Sequence, residues 1–196
     1  MLPGALPLLL WPIPHKDPLA LLLTQIILGL FVVIVTAFFV KWSRIARADV
    51  GTRDRASAIL GYAVTVLATI LIFPAHIECG FAVLAVLAFG DGAATLVGKL
   101  ARGPRLAWNR EKTVAGLVGF IAVALPMTTL IYWGESNNLE QAGPAATWFQ
   151  ALCVALAGVL AGALAESLPM RLNDNLRVGV ASAIAIVGAH AIVFGL

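Results

Sequence analysis

Three short polar segments interrupt an otherwise apolar chain, and each carries residues suited to holding a phosphate or a metal. Phe89-Gly90-Asp91-Gly92 sets a carboxylate between two glycines inside an apolar run. A charge there is costly and usually marks function. The glycines let a ligand approach the backbone, and freed backbone groups are tolerated within a bilayer only where protein lines a cavity. Trp108-Asn109-Arg110-Glu111-Lys112-Thr113 precedes Val114-Ala115-Gly116 and a new apolar run. Asn109 or Thr113 is placed to cap that helix. Its free amides and dipole, with the charge of Lys112, suit a phosphate. Glu166-Ser167-Leu168-Pro169 and Asn173-Asp174-Asn175 close the set. Glu166, Asp174 and Asn175 offer hard oxygen ligands, which fit a magnesium–nucleotide site. Each segment also has a plainer reading: a helix kink with Asp91 paired to Lys99, a capped helix with a topological anchor, and a polar turn.

Gly92 to Lys99 looks like a nucleotide P-loop at first sight. Five residues separate Gly92 from Gly98 where four are needed, Leu100 stands where Ser or Thr belongs, and no strand precedes it, so that reading is rejected. Cys79 and Cys153 show no CxxC pattern and no metal-type spacing with His15, His76 or His190. His76 and His190 fall toward the opposite side from the polar segments and receive no catalytic role.

The elements that must position these residues are membrane helices. Hydrophobic residues make up 61% of the 196 and charged residues 12%, and mean hydropathy is +0.96. That leaves too little polar material to cover a water-facing surface. The expected fold is all-α: one polytopic membrane helix bundle over residues 1–196, with about six transmembrane helices. The runs are Pro18–Val40, Ala56–Phe73, Ile77–Leu100, Thr113–Trp133, Ala145–Ala165 and Val178–Leu196. Residues 1–17, broken by prolines, read as an interfacial lead-in. Gly158 and Gly162 form a GxxxG pattern that lets another helix of the bundle pack close.

The basic residues set the orientation. Lys41, Arg44, Arg47, Arg53 and Arg55 fall in the first loop, Lys99, Arg102, Arg105, Arg110 and Lys112 in the third, and Arg171 and Arg177 in the fifth. Only Lys16 lies on the other side, with Asp17, Glu78, Glu135 and Glu140. The positive-inside rule then puts both termini outside and the polar segments in the cytoplasm, as in a bacterial inner membrane. Topology accounts for the net charge of +3, so no nucleic-acid partner is implied.

Taken in order, Gly90-Asp91-Gly92-Ala93-Ala94-Thr95-Leu96-Val97-Gly98-Lys99, Lys112-Thr113-Val114-Ala115-Gly116, Glu166-Ser167-Leu168-Pro169 and Asn173-Asp174-Asn175-Leu176 resemble the signature of the dolichol kinase and phytol kinase family. The resemblance spans about residues 56 to 190. It departs at Asn173, where the family carries the first Asp of a D-D-N-L block, and upstream, where the family's R-K-x-x-H element and further helices have no counterpart; the chain reads as a shortened form. The resemblance implies phosphoryl transfer from CTP, with ATP as the other donor, to the hydroxyl of a long isoprenoid alcohol such as phytol or a polyprenol. It implies Asp91 and Lys112 as catalytic residues. Gly98, Lys99, Lys112, Thr113, Gly116 and Asn175 would bind the nucleotide, and Asp91, Glu166 and Asp174 would hold Mg2+. The shortened form leaves room for a homo-oligomer or a partner chain.

Three other functions fit parts of the pattern. A membrane cytidylyltransferase resembling CDP-diacylglycerol synthase belongs to a related family, but its long K-R-D-rich signature is missing. A kinase acting on a lipid monophosphate is a further alternative. A small transporter or scaffold would use Asp91 and Glu166 as ion sites; alternating access predicts two matching broken helices, and only one run carries the break.

Overall fold

The computed structural model describes residues 8, 25, 26, 29, 30, 33, 61, 64–101, 103–138, 143–170 and 173–195. The lead-in other than Leu8, most of the first run and the first basic loop lie outside them, as do Arg102, Glu140 and Arg171. The described residues of the first two runs, among them 64–72, are helical apart from Phe73 at the end of the second.

The elements that follow are α1 (Ile77–Ala85), a π-helical turn (Val86–Asp91), α2 (Gly92–Ala101), α3 (Val114–Ser136), α4 (Trp148–Ser167) and α5 (Asp174–Phe194). Four helices among the described residues are long and apolar enough to cross a membrane: Ile77–Ala101, Val114–Ser136, Trp148–Ser167 and Asp174–Phe194. The chain is thus a helical membrane bundle.

The apolar run over 77–101 is one continuous span interrupted by the π turn, where Gly90-Asp91-Gly92 predicts a break. A π turn inserts an extra residue and shifts the register of the faces on either side. The space for it comes from Gly90, because a Cβ there would collide with the ring of Phe120 on α3, which is fully buried.

Small residues set the remaining crossings. Gly158 and Gly162 of α4 face Ile186 and Ser182 of α5; a Cβ on Gly162 would stand 2.6 Å from Ser182 Oγ. The GxxxG pattern is therefore spent inside the bundle, as expected. α4 opens with a capping box between Thr147 and Gln150.

The last helix starts earlier than its apolar run. Val178 is the expected start, yet α5 begins at Asp174, capped by the Asn173 side chain, which accepts from Leu176 N at 3.2 Å. Asp174 and Asn175 thus belong to a first helical turn rather than to a free loop. The spans alternate in direction. This gathers the ends at Ala101, Val114, Ser167 and Asp174 on one side of the bundle, and those at Ile77, Ser136, Trp148 and Phe194 on the other.

Candidate active site

The loop between α2 and α3 folds back on itself. Leu106 N donates to Lys112 O (3.0 Å), Val114 N to Pro104 O (2.9 Å) and Lys112 N to Asn109 O (3.2 Å), with an isolated antiparallel bridge between Arg105 and Thr113. Of the two residues placed to cap α3, Thr113 does so, accepting from Gly116 N at 3.0 Å. Asn109 instead anchors the loop. Its Nδ2 donates to the carbonyl of Ser167 (3.1 Å) while its Oδ1 accepts from Glu111 N (3.1 Å). Trp108 Nε1 adds a bond to Ser167 Oγ at 3.3 Å. Two polar segments nearly sixty residues apart are so locked together at the end of α4.

This anchoring carries Lys112 to the centre of the site. Its ammonium donates to Glu166 Oε1 and to Asp174 Oδ2, the latter at 3.1 Å. Asp174 is held from its other side by Arg177 Nη2 at 3.0 Å, one helical turn on. Burial alone would lower the Lys112 pKa, but the Glu166 and Asp174 carboxylates outweigh it and hold the amine above the ordinary lysine range. Lys112 is thus a fixed positive charge at neutral pH. Asp91 lies about one helical turn from Ala94 and Thr95, within electrostatic range of Lys112, Glu166 and Asp174. Two carboxylates from two helices therefore hold one ammonium, with a third, Asp91, within electrostatic range.

A cavity of about 800 Å3 opens beside this cluster, within the range of small-molecule sites. Of the residues singled out from sequence, Gly98, Lys99, Lys112, Thr113, Gly116, Glu166 and Asp174 line it; Asp91 and Asn175 do not. The structure gives Gly98 and Gly116 a packing task as well. A Cβ on Gly116 would lie 2.9 Å from the Ala94 carbonyl oxygen, and one on Gly98 would lie 2.9 Å from Thr113 Oγ1, so the pair lets α2 and α3 cross closely. Arg105, Glu111 and Ser167 also line the cavity. Sequence reading gives them no role in the site, nor one to Arg177 beyond topology; the three-residue spacing of Asp174 and Arg177 on a helix was the one available signal.

The carboxylates suit a hard divalent cation. Glu166 is 5% exposed, and its Oε2 is a buried acceptor with no hydrogen-bond partner among the described residues. With Asp174 beside it and Asp91 nearby, the donor set fits Mg2+, which takes one or two carboxylates and otherwise phosphate and water.

Comparison with known proteins gives one informative result. The chain is 26% identical over 137 residues to the chloroplastic farnesol kinase of Arabidopsis thaliana. The matched stretch covers 68% of this chain but 43% of the relative. No protein-family model and no solved structure matches the chain.

Proposed function

We propose that the chain is a prenyl-alcohol kinase that uses CTP. The observation that carries this reading is Lys112 held between Glu166 and Asp174, on the rim of a cavity that also receives the N-terminus of α3. Phosphoryl transfer asks mainly for positioning and charge neutralisation, and the cluster supplies both. Similarity to a farnesol kinase supports the choice of a prenyl alcohol as acceptor.

In this reading the triphosphate lies at the positive, N-terminal end of α3, with Lys112 and Lys99 balancing its charge. Glu166 and Asp174 would hold Mg2+, which when bound would neutralise charge on the phosphate oxygens, and Asp91 beside them is left as the base. The isoprenoid tail lies between helices, and its hydroxyl meets the nucleotide near Asp91. The hydroxyl oxygen attacks the γ-phosphorus as the bond to the bridging oxygen breaks. CDP leaves and the hydroxyl proton passes to Asp91.

The topology we propose has six spans, with the first two supplied by residues 18–40 and 56–73. Both termini then lie outside and the site faces the cytoplasm, because the loops carrying Arg105, Arg110 and Lys112 share a side with Arg177.

The test supplies purified protein in detergent with Mg2+, CTP labelled at either the γ or the α phosphate, and a panel of farnesol, geranylgeraniol, phytol and undecaprenol. γ label in the lipid fraction is expected. Transfer of α label instead means cytidylyl transfer, and no transfer to any alcohol or lipid phosphate refutes the enzymatic reading.

A further inference from the structure

The opposite end of the bundle holds a second cluster of ligand-type side chains. His76 immediately precedes α1, Glu78 lies in its first turn, and His190 comes from the last turns of α5. Glu78 Oε1 is 3.1 Å from His76 Nδ1 and 3.7 Å from His190 Nδ1, so the carboxylate sits between two imidazoles. The imidazole rings meet edge to face with centroids 4.5 Å apart. A potential ligand atom from each residue lies within 4.8 Å of the other two.

Two features point to a ligand rather than a finished polar network. Glu78 is 1% exposed and His190 3%, yet Glu78 Oε2 and His190 Nε2 have no hydrogen-bond partner among the described residues. Orphaned buried acceptors and donors are expensive unless something fills them. His190 is also held by α3, with Nδ1 2.6 Å from the hydroxyl of Tyr132. When Nε2 binds a metal, Nδ1 carries the hydrogen and donates it to that oxygen, the usual way in which a ligating histidine is fixed.

We propose that His76, Glu78 and His190 form a binding site for a borderline divalent metal of the zinc type, with a water completing the set. Two imidazoles and one carboxylate suit zinc and its neighbours rather than magnesium or calcium. Bonds of about 2.1 Å in a tetrahedron place ligand atoms about 3.4 Å apart, so atoms now within 4.8 Å of one another close by at most about 1.4 Å per contact. The metal offsets the buried Glu78 charge and pins the start of α1 to the end of α5. The site is independent of the kinase reading.

The full chain, purified in detergent and stripped with chelator, is titrated with ZnCl2 and assayed for bound zinc after gel filtration. Co2+ serves as an optical probe of tetrahedral nitrogen and oxygen coordination. One zinc per chain, a higher unfolding midpoint with zinc, and affinity weakened by at least about 100-fold in Glu78→Gln and His190→Ala are expected. His76→Ala changes a residue in the turn outside the spans and keeps the test decisive if a buried variant fails to fold. It too should lose zinc, whereas Glu166→Gln, at the other end, should retain it. No bound zinc in the full chain, zinc retained by His76→Ala, or zinc lost in Glu166→Gln alone overturns the proposal.

Discussion

Lys112 forms an ion pair with Glu166, which joins the loop before α3 to the end of α4 and buries the acid while leaving the amine partly exposed. Glu166 Oε1 loses its donor in Lys112→Met. An unsatisfied buried acceptor costs about 1–3 kcal/mol, so the unfolding midpoint should fall modestly and the protein should still insert. In the proposed reading Lys112 also neutralises charge developed in transfer, so activity should fall much further, by about 100-fold or more. Label transfer and thermal unfolding on the same preparation separate the two losses. Equal turnover in Lys112→Met and the parent would remove Lys112 from the machinery.

Asp91 behaves differently if it takes the proton. Asp91→Asn should lower kcat by about 100- to 10,000-fold while leaving the nucleotide KM close to that of the parent. A variant with raised nucleotide KM and intact kcat would instead make Asp91 a binding residue.

The anchoring of the loop can be tested away from the charges. Asn109→Ala removes bonds to the Ser167 carbonyl and the Glu111 amide. The expected result is a cost of about 1–3 kcal/mol and a higher nucleotide KM, with transfer itself retained at saturating CTP. Protease susceptibility of the 103–113 segment should rise in parallel.

These residues also mark where sequence reading succeeds and where it stops. The break at Gly90-Asp91-Gly92 is visible because polar and glycine residues interrupt an apolar run; that Gly90 makes room there for the ring of Phe120, thirty residues on, is revealed by no local pattern. Asn109 and Thr113 are equally good caps by type. The choice falls to Thr113 because Asn109 is drawn to Ser167, a non-local bond. Asp174 reads as a loop residue because Asn173-Asp174-Asn175 resembles a turn, yet Asn173 turns that segment into a helix start. The His76–Glu78–His190 cluster joins residues more than a hundred positions apart and leaves no spacing motif.

Asn173 carries a further prediction, since it stands where the resembling family has aspartate. Asn and Asp cap helices about equally well, so Asn173→Asp should change stability by less than about 0.5 kcal/mol, while Asn173→Ala should cost about 1 kcal/mol. A large loss in Asn173→Asp would mean that the position does more than cap, and that added charge beside Asp174 and Lys112 is harmful.

The crossing of α2 and α3 gives the sharpest contrast. Gly116→Ala places a methyl 2.9 Å from the Ala94 backbone oxygen and 3.0 Å from Thr113 Oγ1. Backbone cannot move aside as a flexible side chain does, so the helices must part, at a cost of about 1–3 kcal/mol. Because the same crossing forms one wall of the cavity, nucleotide binding should weaken with it. Gly188→Ala, on α5, meets nothing within 4 Å. There the gain in helix propensity stands alone, and the variant should be more stable by about 0.5–1 kcal/mol with full activity. Thermal unfolding and nucleotide KM of both variants decide the matter: a stable, active Gly116→Ala would show that α2 and α3 do not meet as described.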